Sequence, residues 1–320
     1  MVNLLVLSNP AASHLKPLDD LPGRPKITIG DEPAALAKAA PEADVLLNAV
    51  LGGDLLRFAF PRANKVRWVH NLSAGVELVT FPELVESNVP LTNGRGVFAE
   101  SLAEFVLAAA LFFAKDLRRM VRNQEARRWE TFYIEMLAGR TMGVVGYGEI
   151  GRASARLAHA SGMRVCALRR RTTLSEADPL IEAIYPPDQL RTMLSQCDYV
   201  VVAAPLTPET RGMIGPREIE AMKTNAVVIN VGRGPVIDEA ALIVALRSGK
   251  IRGAALDVFD EEPLPENHPF WTMPNVLLSP HTADQTKGWA ELAMQMFVRN
   301  FDHFIKGEPL ENVVDKRAGY

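Results

Sequence analysis

The stretch Met142-Gly143-Val144-Val145-Gly146-Tyr147-Gly148-Glu149-Ile150-Gly151 decides the fold of this chain. An apolar run, residues 142–145, leads into a G-x-G-x-x-G turn, and a helix-forming stretch follows at residues 152–160. Strand, glycine turn and helix in that order are the context a dinucleotide site needs. Gly146 permits the tight turn, Gly148 lets backbone approach a pyrophosphate, and Gly151 lets helix and strand pack closely. Glu149 and Ile150 complete the turn and join the glycines as cofactor-binding candidates. The helix start then offers free N–H groups and a partial positive charge to the phosphates. The alternative is a glycine-rich turn without a ligand.

Working outward, the next apolar run is Met163-Arg164-Val165-Cys166-Ala167-Leu168, and it ends in Arg169-Arg170-Arg171. A second strand of this kind normally ends in an acid that grips the ribose 2′-hydroxyl of NAD. Here that end is arginine, and the next acids are Glu176 and Asp178. A carboxylate would repel a 2′-phosphate, whereas guanidinium groups bind one well. The expectation is a site for a dinucleotide that prefers NADP(H) over NAD(H). The competing reading of the arginines is a solvated charge run.

The chain has 320 residues, enough for two domains with separate cores. A formal net charge of −3 argues against nucleic acid or an anionic membrane as the main partner. Both cysteines, Cys166 and Cys197, lie in apolar runs and read as small core residues, which fits a reducing cytoplasm. Residues 2–7 lack the basic lead of a signal peptide and read as a first strand. The most apolar helix candidate, residues 102–114, is well short of the ~20 apolar residues of a membrane span. It reads as a buried helix, and a second subunit is expected to cover part of it. The six histidines have no metal-liganding spacing, so no metal is expected.

Short apolar strands at residues 2–7, 45–47, 67–71 and 91–92 alternate with alanine-rich stretches such as 33–40. That rhythm predicts a parallel sheet. A long helix is expected at 99–123, then an arginine-rich solvated stretch, then the nucleotide fold from Thr141. Further strands follow at 199–203, 226–230, 254–257 and 276–278. A helix at 237–248 has Asp238 as N-cap and Gly249 as stop. After His281 a long amphipathic helix, 285–306, has no strand after it and should pack back on the first domain. The expected fold class is α/β with two doubly wound parallel-sheet domains. A discontinuous, flavodoxin-like domain takes residues 1–93 plus 285–320, and a Rossmann dinucleotide-binding domain takes 94–284.

Three chemically capable side chains follow strands of the nucleotide fold, at the carboxyl ends where ligands bind in open α/β sheets. Arg233 follows Ile229-Asn230-Val231-Gly232, Glu262 sits in Asp257-Val258-Phe259-Asp260-Glu261-Glu262-Pro263, and His281 follows Leu277-Leu278-Ser279-Pro280. Hydride transfer to a 2-oxo acid needs such a set. Arg233 can pair with a substrate carboxylate and polarise its carbonyl. His281 can donate the proton and take it back in reverse. A hydrogen bond from Glu262 would favour the protonated imidazole.

The chain resembles the D-isomer-specific 2-hydroxyacid dehydrogenases. The resemblance rests on Val228-Ile229-Asn230-Val231-Gly232-Arg233-Gly234-Pro235, on Pro205-Leu206-Thr207-Pro208-Glu209-Thr210-Arg211-Gly212, on Ala255-Leu256-Asp257-Val258-Phe259, and on Ser279-Pro280-His281. It extends from Asn71-Leu72-Ser73-Ala74-Gly75-Val76 to the helix after His281. It implies a split substrate domain, an inserted nucleotide domain, a homodimer built around the latter, and Arg233, Glu262 and His281 as the catalytic set. It further implies that Ala74 and Gly75 offer backbone N–H groups to the substrate carboxylate, beside Arg233 and His281. Asp257 would contact the nicotinamide amide. Pro205, Leu206, Thr207 and Thr210 would line the cofactor cleft, and Val231 and Gly232 would lie beside the ring.

The chain departs from the family pattern at three places. Arg169 stands where NAD-type members carry Asp, which agrees with NADP. Glu77 replaces a common Asp, and Thr282-Ala283-Asp284-Gln285-Thr286 replaces the usual glycine pair. Trp289 is a candidate pocket wall, along with the loop at 51–53, although an aromatic on an amphipathic helix is more often core. The implied activity is NADPH-preferring reduction of small 2-oxo acids, of the glyoxylate or hydroxypyruvate type. The alternative is a dinucleotide-sensing binding protein on the same fold.

Overall fold

The computed structural model describes residues 1–170 and 178–319, so Arg171 lies outside the described residues. The chain divides into two compact units, Met1–Phe98 with Lys287–Tyr320, and Ala99–Thr286. The breaks fall a few residues beyond those expected from sequence. Gly94 N–H donates to Ser73 O at 3.2 Å. The Phe98 ring meets Trp289 at 5.6 Å, so residues 94–98 stay with the first unit.

The first unit holds β1 (Asn3–Leu7), β2 (Lys26–Gly30), β3 (Val45–Asn48), β4 (Trp68–Asn71) and β5 (Leu91–Asn93). All pair in parallel, in the order β2-β1-β3-β4-β5. Side chains alternate between two covered faces, which is why these strands read as unbroken apolar runs. Leu5, Leu7, Leu46, Val69 and Leu91 share one core with Leu36, Leu56 and Leu84. Leu4, Val6, Val45, Leu47 and Trp68 share the other with Met294, Phe297 and Phe301 of the helix Trp289–Lys306. That helix packs on the first unit, and Trp68 stacks on Phe297 at 5.3 Å. It starts four residues later than expected because Gly288 takes the left-handed φ of 82° just before it. Trp289 is half-buried against this core. Strand β2 was absent from the sequence reading. The terminal segment also pairs, since Val313 bridges Thr92 at the β5 edge.

The second unit holds β6 (Thr141–Val145), β7 (Arg164–Leu168), β8 (Ala183–Tyr185), β9 (Tyr199–Val202), β10 (Val227–Asn230), β11 (Gly253–Leu256) and β12 (Val276–Leu278). These too are parallel, ordered β12-β11-β10-β9-β6-β7-β8. The order reverses between β6 and β9, the switch point where a doubly wound sheet opens a crevice. The expected single helix at 99–123 is two, Ala99–Ala114 and Leu117–Glu125. Asp116 breaks it with a φ of 48°, a conformation Asp tolerates better than most residues. The break separates an apolar helix from one with no buried residue. Ala99 and Ala103 pack on Ala153, with Ile150 and Leu157 beside them. Cys166 and Cys197 are buried free thiols with Sγ atoms 3.5 Å apart. Among the described residues no helix is long and apolar enough to cross a membrane, and no cluster of three metal-ligating side chains occurs.

Candidate active site

The three glycines of the turn differ in what surrounds them. Gly146 has a φ of 93°, and a Cβ there would lie 2.6 Å from Ala204 N. Gly151 sits in the first turn of the helix Glu149–Ala160, where a Cβ would lie 2.5 Å from Gly146 O and 2.8 Å from Val144 Cγ1. At Gly148, by contrast, a Cβ would meet nothing within 4 Å. Gly148 is also the helix N-cap and supplies no capping side chain. Two glycines are therefore required by packing, while the third leaves open space over a helix start whose N–H groups lack a side-chain cap. This cradle fits a dinucleotide pyrophosphate.

Arg169 is half-buried and Arg170 exposed at the end of β7. Arg169 N–H donates to Tyr185 O at 3.0 Å, which fixes where the strand ends. Asp178, one of the acids that follows, is taken up locally. Its Oδ2 accepts from Arg152 Nε at 2.9 Å and from the Tyr147 hydroxyl at 3.1 Å. Burial works against the Asp178 carboxylate, but the Leu180 N–H, Arg152 and Tyr147 outweigh it and hold its pKa below the usual range. Burial and Asp178 push the Tyr147 phenol up. The loop after β9 is closed by Thr210, whose hydroxyl donates to Pro205 O at 2.6 Å and accepts from Thr207 N–H at 2.8 Å. The Thr210 side chain thus holds Pro205, Leu206 and Thr207 in place.

The three candidate catalytic residues sit on loops that the fold presses together within the second unit. Asn230 ends β10 and cross-links the next loop, with its Nδ2 donating to Arg233 O at 3.1 Å and its Oδ1 accepting from Gly232 N–H at 3.1 Å. A Cβ on Gly232 would lie 2.7 Å from Ala204 O, and one on Gly234 would lie 2.0 Å from the Phe259 carbonyl carbon. Gly232 seats the Arg233 loop on the backbone of residues 202–204, and Gly234 seats it on Phe259 and Asp260. Arg233 Nη1 donates to Gly232 O at 2.8 Å, and Val231 is buried beneath it.

Glu262 uses both oxygens. Oε1 accepts from Phe259 N–H at 2.9 Å, and Oε2 lies 2.7 Å from His281 Nδ1. Burial pulls the Glu262 carboxyl upward, but bonds from His281 and Phe259 and the charges of His281 and Arg233 hold it below the carboxylate range. The Glu262 carboxylate in turn raises the His281 pKa above its ordinary value, against the opposing effect of burial. With Nδ1–H given to Glu262, Nε2 makes no hydrogen bond to any described residue and is free for chemistry. A second pair, His268 Nε2 with Glu239 Oε1 at 3.0 Å, differs here. His268 Nδ1 also accepts from Phe270 N–H, so both of its ring nitrogens serve the fold.

His281 has a φ of 52°, a left-handed conformation that a non-glycine residue holds only when its surroundings impose it. Asp257 imposes it. Its buried Oδ1 accepts from Ser279 Oγ at 2.6 Å, Thr282 N–H at 3.0 Å and Ala283 N–H at 3.1 Å, clamping the turn on either side of His281. Asn230 and Ser279 lie in the motifs that carry the resemblance and Thr282 in a segment that departs from it, but the sequence assigns none of them a role. Asp284, three residues after His281, is half-buried, and burial pushes its pKa up. Ala74 and Gly75 lie in the first unit, in the half-buried loop after β4.

The profile of the D-isomer specific 2-hydroxyacid dehydrogenase NAD-binding domain matches residues 107–283. Glyoxylate reductase of Thermococcus gammatolerans is 36% identical over 268 residues, covering 81% of this chain and 79% of that protein. Two solved structures are similar over the full chain. A D-isomer specific 2-hydroxyacid dehydrogenase from Xanthobacter autotrophicus Py2, solved with NADPH and MES, has a TM-score of 0.84 at 32% identity, covering 100% of this chain and 99% of that one. An NADPH-dependent glyoxylate/hydroxypyruvate reductase from Sinorhizobium meliloti, solved with NADP and sulfate, has a TM-score of 0.85 at 28% identity, covering 100% of both chains. With a profile match over more than half its length and relatives at this identity, the chain belongs to the D-isomer specific 2-hydroxyacid dehydrogenases, an NAD(P)-dependent enzyme family.

Proposed function

We propose that this enzyme reduces small 2-oxo acids of the glyoxylate or hydroxypyruvate type to D-2-hydroxy acids, with NADPH as the preferred reductant. The observation that carries the reading is the Glu262–His281 pair at 2.7 Å, with its free Nε2, in the unit that also holds the loop of Arg233. When bound, the nicotinamide supplies the hydride. The chain supplies the rest. His281 Nε2–H protonates the carbonyl oxygen, and Glu262 keeps the imidazole protonated and oriented. Arg233 pairs with the substrate and polarises its carbonyl. The N–H groups of Ala74 and Gly75 are assigned to the substrate carboxylate. Gly146, Gly148 and Gly151, with Glu149 and Ile150, would hold the pyrophosphate, and Asp257 the nicotinamide side. Arg169 and Arg170 would take the 2′-phosphate. Asp178 supports that assignment, because the nearby acid is neutralised by Arg152.

The named relatives include glyoxylate reductases and an NADPH-dependent glyoxylate/hydroxypyruvate reductase, which favours the same substrate class for this chain. We assign it as a homodimer. Trp129 and Tyr133 are fully exposed and Met136 largely so, on the segment that follows the helix Leu117–Glu125, and a second copy would cover them. We assign it to the cytoplasm, a reading supported by the buried free thiols and by the proposed NADPH preference.

The test is initial rates for a panel of 2-oxo acids with NADPH and NADH. Turnover of glyoxylate or hydroxypyruvate, faster with NADPH at equal concentration, is expected. Faster use of NADH would sink the cofactor assignment. No turnover of any acid, with NADPH still bound, would favour the dinucleotide-sensing alternative.

A further inference from the structure

Three adjacent strands of the first unit, β3, β4 and β5, each end in asparagine. Asn48, Asn71 and Asn93 stand side by side in register. All three are buried, at 0%, 2% and 4% exposure. Buried amides at this depth need partners. Asn48 and Asn71 are bonded to each other, Asn93 bonds separately to the same loop, and Asn48 Oδ1 alone of their side-chain polar atoms has no partner among the described residues. Asn48 Nδ2 donates to Asn71 Oδ1 at 2.8 Å and to Gly52 O at 2.9 Å. This fixes the Asn71 amide, whose Nδ2 donates to Ser73 O at 3.0 Å and Gly75 O at 2.9 Å. Asn93 Nδ2 donates to Ala74 O at 2.5 Å. Three consecutive carbonyls are therefore tied down toward the sheet.

A trans peptide points the C=O of one residue and the N–H of the next in opposite directions. With Ser73, Ala74 and Gly75 O held inward, the N–H groups of Ala74, Gly75 and Val76 must face away from the sheet. None of the three donates to a protein acceptor among the described residues. Successive outward N–H groups make an anion-binding concavity without any cationic side chain.

We infer that the Asn48-Asn71-Asn93 row is the positioning device of the substrate-carboxylate site, holding the Ala74, Gly75 and Val76 N–H groups turned outward. The inference rests on the assignment of this loop to the substrate carboxylate. It adds a third donor, Val76, and two positioning residues, Asn71 and Asn93, that touch neither substrate nor cofactor. The Gly52 bond also couples the loop at 50–53 to the same row, so a change at Asn48 should act on both loops.

The test uses the full-length enzyme with saturating NADPH, and oxamate as an unreactive 2-oxo acid probe. Asn71→Ala and Asn93→Ala reach the loop from different strands, so one carries the test if the other fails to fold. Asn300→Ala is the control. Asn300 is equally buried in the same unit, and it clamps the Glu311 backbone with bonds of 2.7 and 3.1 Å. The expected result is oxamate binding at least tenfold weaker in Asn71→Ala and Asn93→Ala. KM for the 2-oxo acid should rise in parallel, with kcat within threefold and NADPH affinity unchanged. Asn300→Ala should lose thermal stability but keep oxamate affinity. Oxamate binding within twofold of wild type in the folded asparagine variants would overturn the positioning role alone. Failure of oxamate to bind the wild-type enzyme would instead overturn the assignment of the loop to a substrate carboxylate.

Discussion

Replacing the glycines of the Gly146–Gly151 turn one at a time separates the demands of the fold from those of the ligand. At Gly148, with φ of −97° and ψ of −154°, alanine is sterically allowed and its methyl meets no protein atom. Gly148→Ala lowers the entropy of the unfolded chain, worth about 0.4–1 kcal/mol, but alanine is a poorer N-cap than glycine by a similar amount. For a unit of this size each kcal/mol moves Tm by about 2–4 °C, so the two effects should leave the Tm of the free enzyme within about 2 °C of wild type. Saturating wild-type enzyme with NADPH at a hundred times Kd adds about 2.7 kcal/mol, an upshift of about 5–11 °C. If the methyl occupies the pyrophosphate cradle and weakens binding a hundredfold, the same NADPH concentration adds only ~0.4 kcal/mol, an upshift of about 1–2 °C. Gly151→Ala should behave in the opposite way. Its Cβ would press on Gly146 O at 2.5 Å, a backbone atom that cannot swing aside. Overpacking of this kind costs up to ~3 kcal/mol. The preference of a helix for alanine over glycine returns about 1 kcal/mol. The net loss of ~2 kcal/mol should lower Tm by about 4–8 °C without ligand. The assay is a thermal melt of wild type and both variants, with and without NADPH. A full NADPH upshift in Gly148→Ala would refute the assignment of this turn to the pyrophosphate. A Gly151→Ala protein as stable as wild type would refute the packing account.

The remaining predictions concern the catalytic loops and the cofactor's far end. Because the Glu262 carboxylate raises the His281 pKa, reduction needs a protonated donor that persists above the ordinary histidine range and is lost as pH rises through the raised value. Glu262→Gln should shift that alkaline fall to lower pH. Oxidation of the hydroxy acid, which needs neutral imidazole, should then begin at lower pH; unmoved kcat/KM profiles would exclude the coupling. Asp257→Ala leaves three donors around His281 without an acceptor, at about 1–3 kcal/mol for each buried one. It should lower both kcat and the urea midpoint, whereas Asp257→Asn keeps an acceptor and should lose less of each. Neutral residues at Arg169 and Arg170 remove charge-assisted bonds of about 1.5–3 kcal/mol. KM for NADPH should rise about 10–100-fold at that energy, and KM for NADH much less; equal effects would return these arginines to solvated surface.

Much of the architecture is legible in the order of residues because its signals are local. Unbroken apolar runs spaced by helical stretches imply parallel strands covered on both faces, and both sheets are of that kind. Asp238 and Gly249 mark a helix at both ends because capping is decided within one turn. Asp238 accepts from Ala241 N–H, and Gly249 takes the left-handed φ of 71°. Strand β2 was not legible, since Lys26–Gly30 lies at the sheet edge and is partly exposed, so it lacks an unbroken apolar run. The break at Asp116 was not legible either, because the helical pattern continues through it and only tertiary burial separates the two helices.

The kinds of chemistry on offer are written in the order of residues. Glycine spacing after a strand points to a dinucleotide turn, arginines in place of an acid are the ground for the proposed 2′-phosphate site, and Arg233, Glu262 and His281 offer a cation, a carboxylate and an imidazole for the proposed reaction. Which atoms stay available is set by tertiary packing. It gave His281 Nδ1 to Glu262 and left Nε2 free, and it used His268 for the fold instead. It folded His281 into a left-handed turn clamped by Asp257, and aligned Asn71 and Asn93 across strands more than twenty residues apart in sequence. The physical reason is range. A turn or a cap is fixed by neighbours in the chain, whereas a hydrogen bond that selects one ring nitrogen, or turns one peptide, depends on groups that only the packed sheet brings within 3 Å.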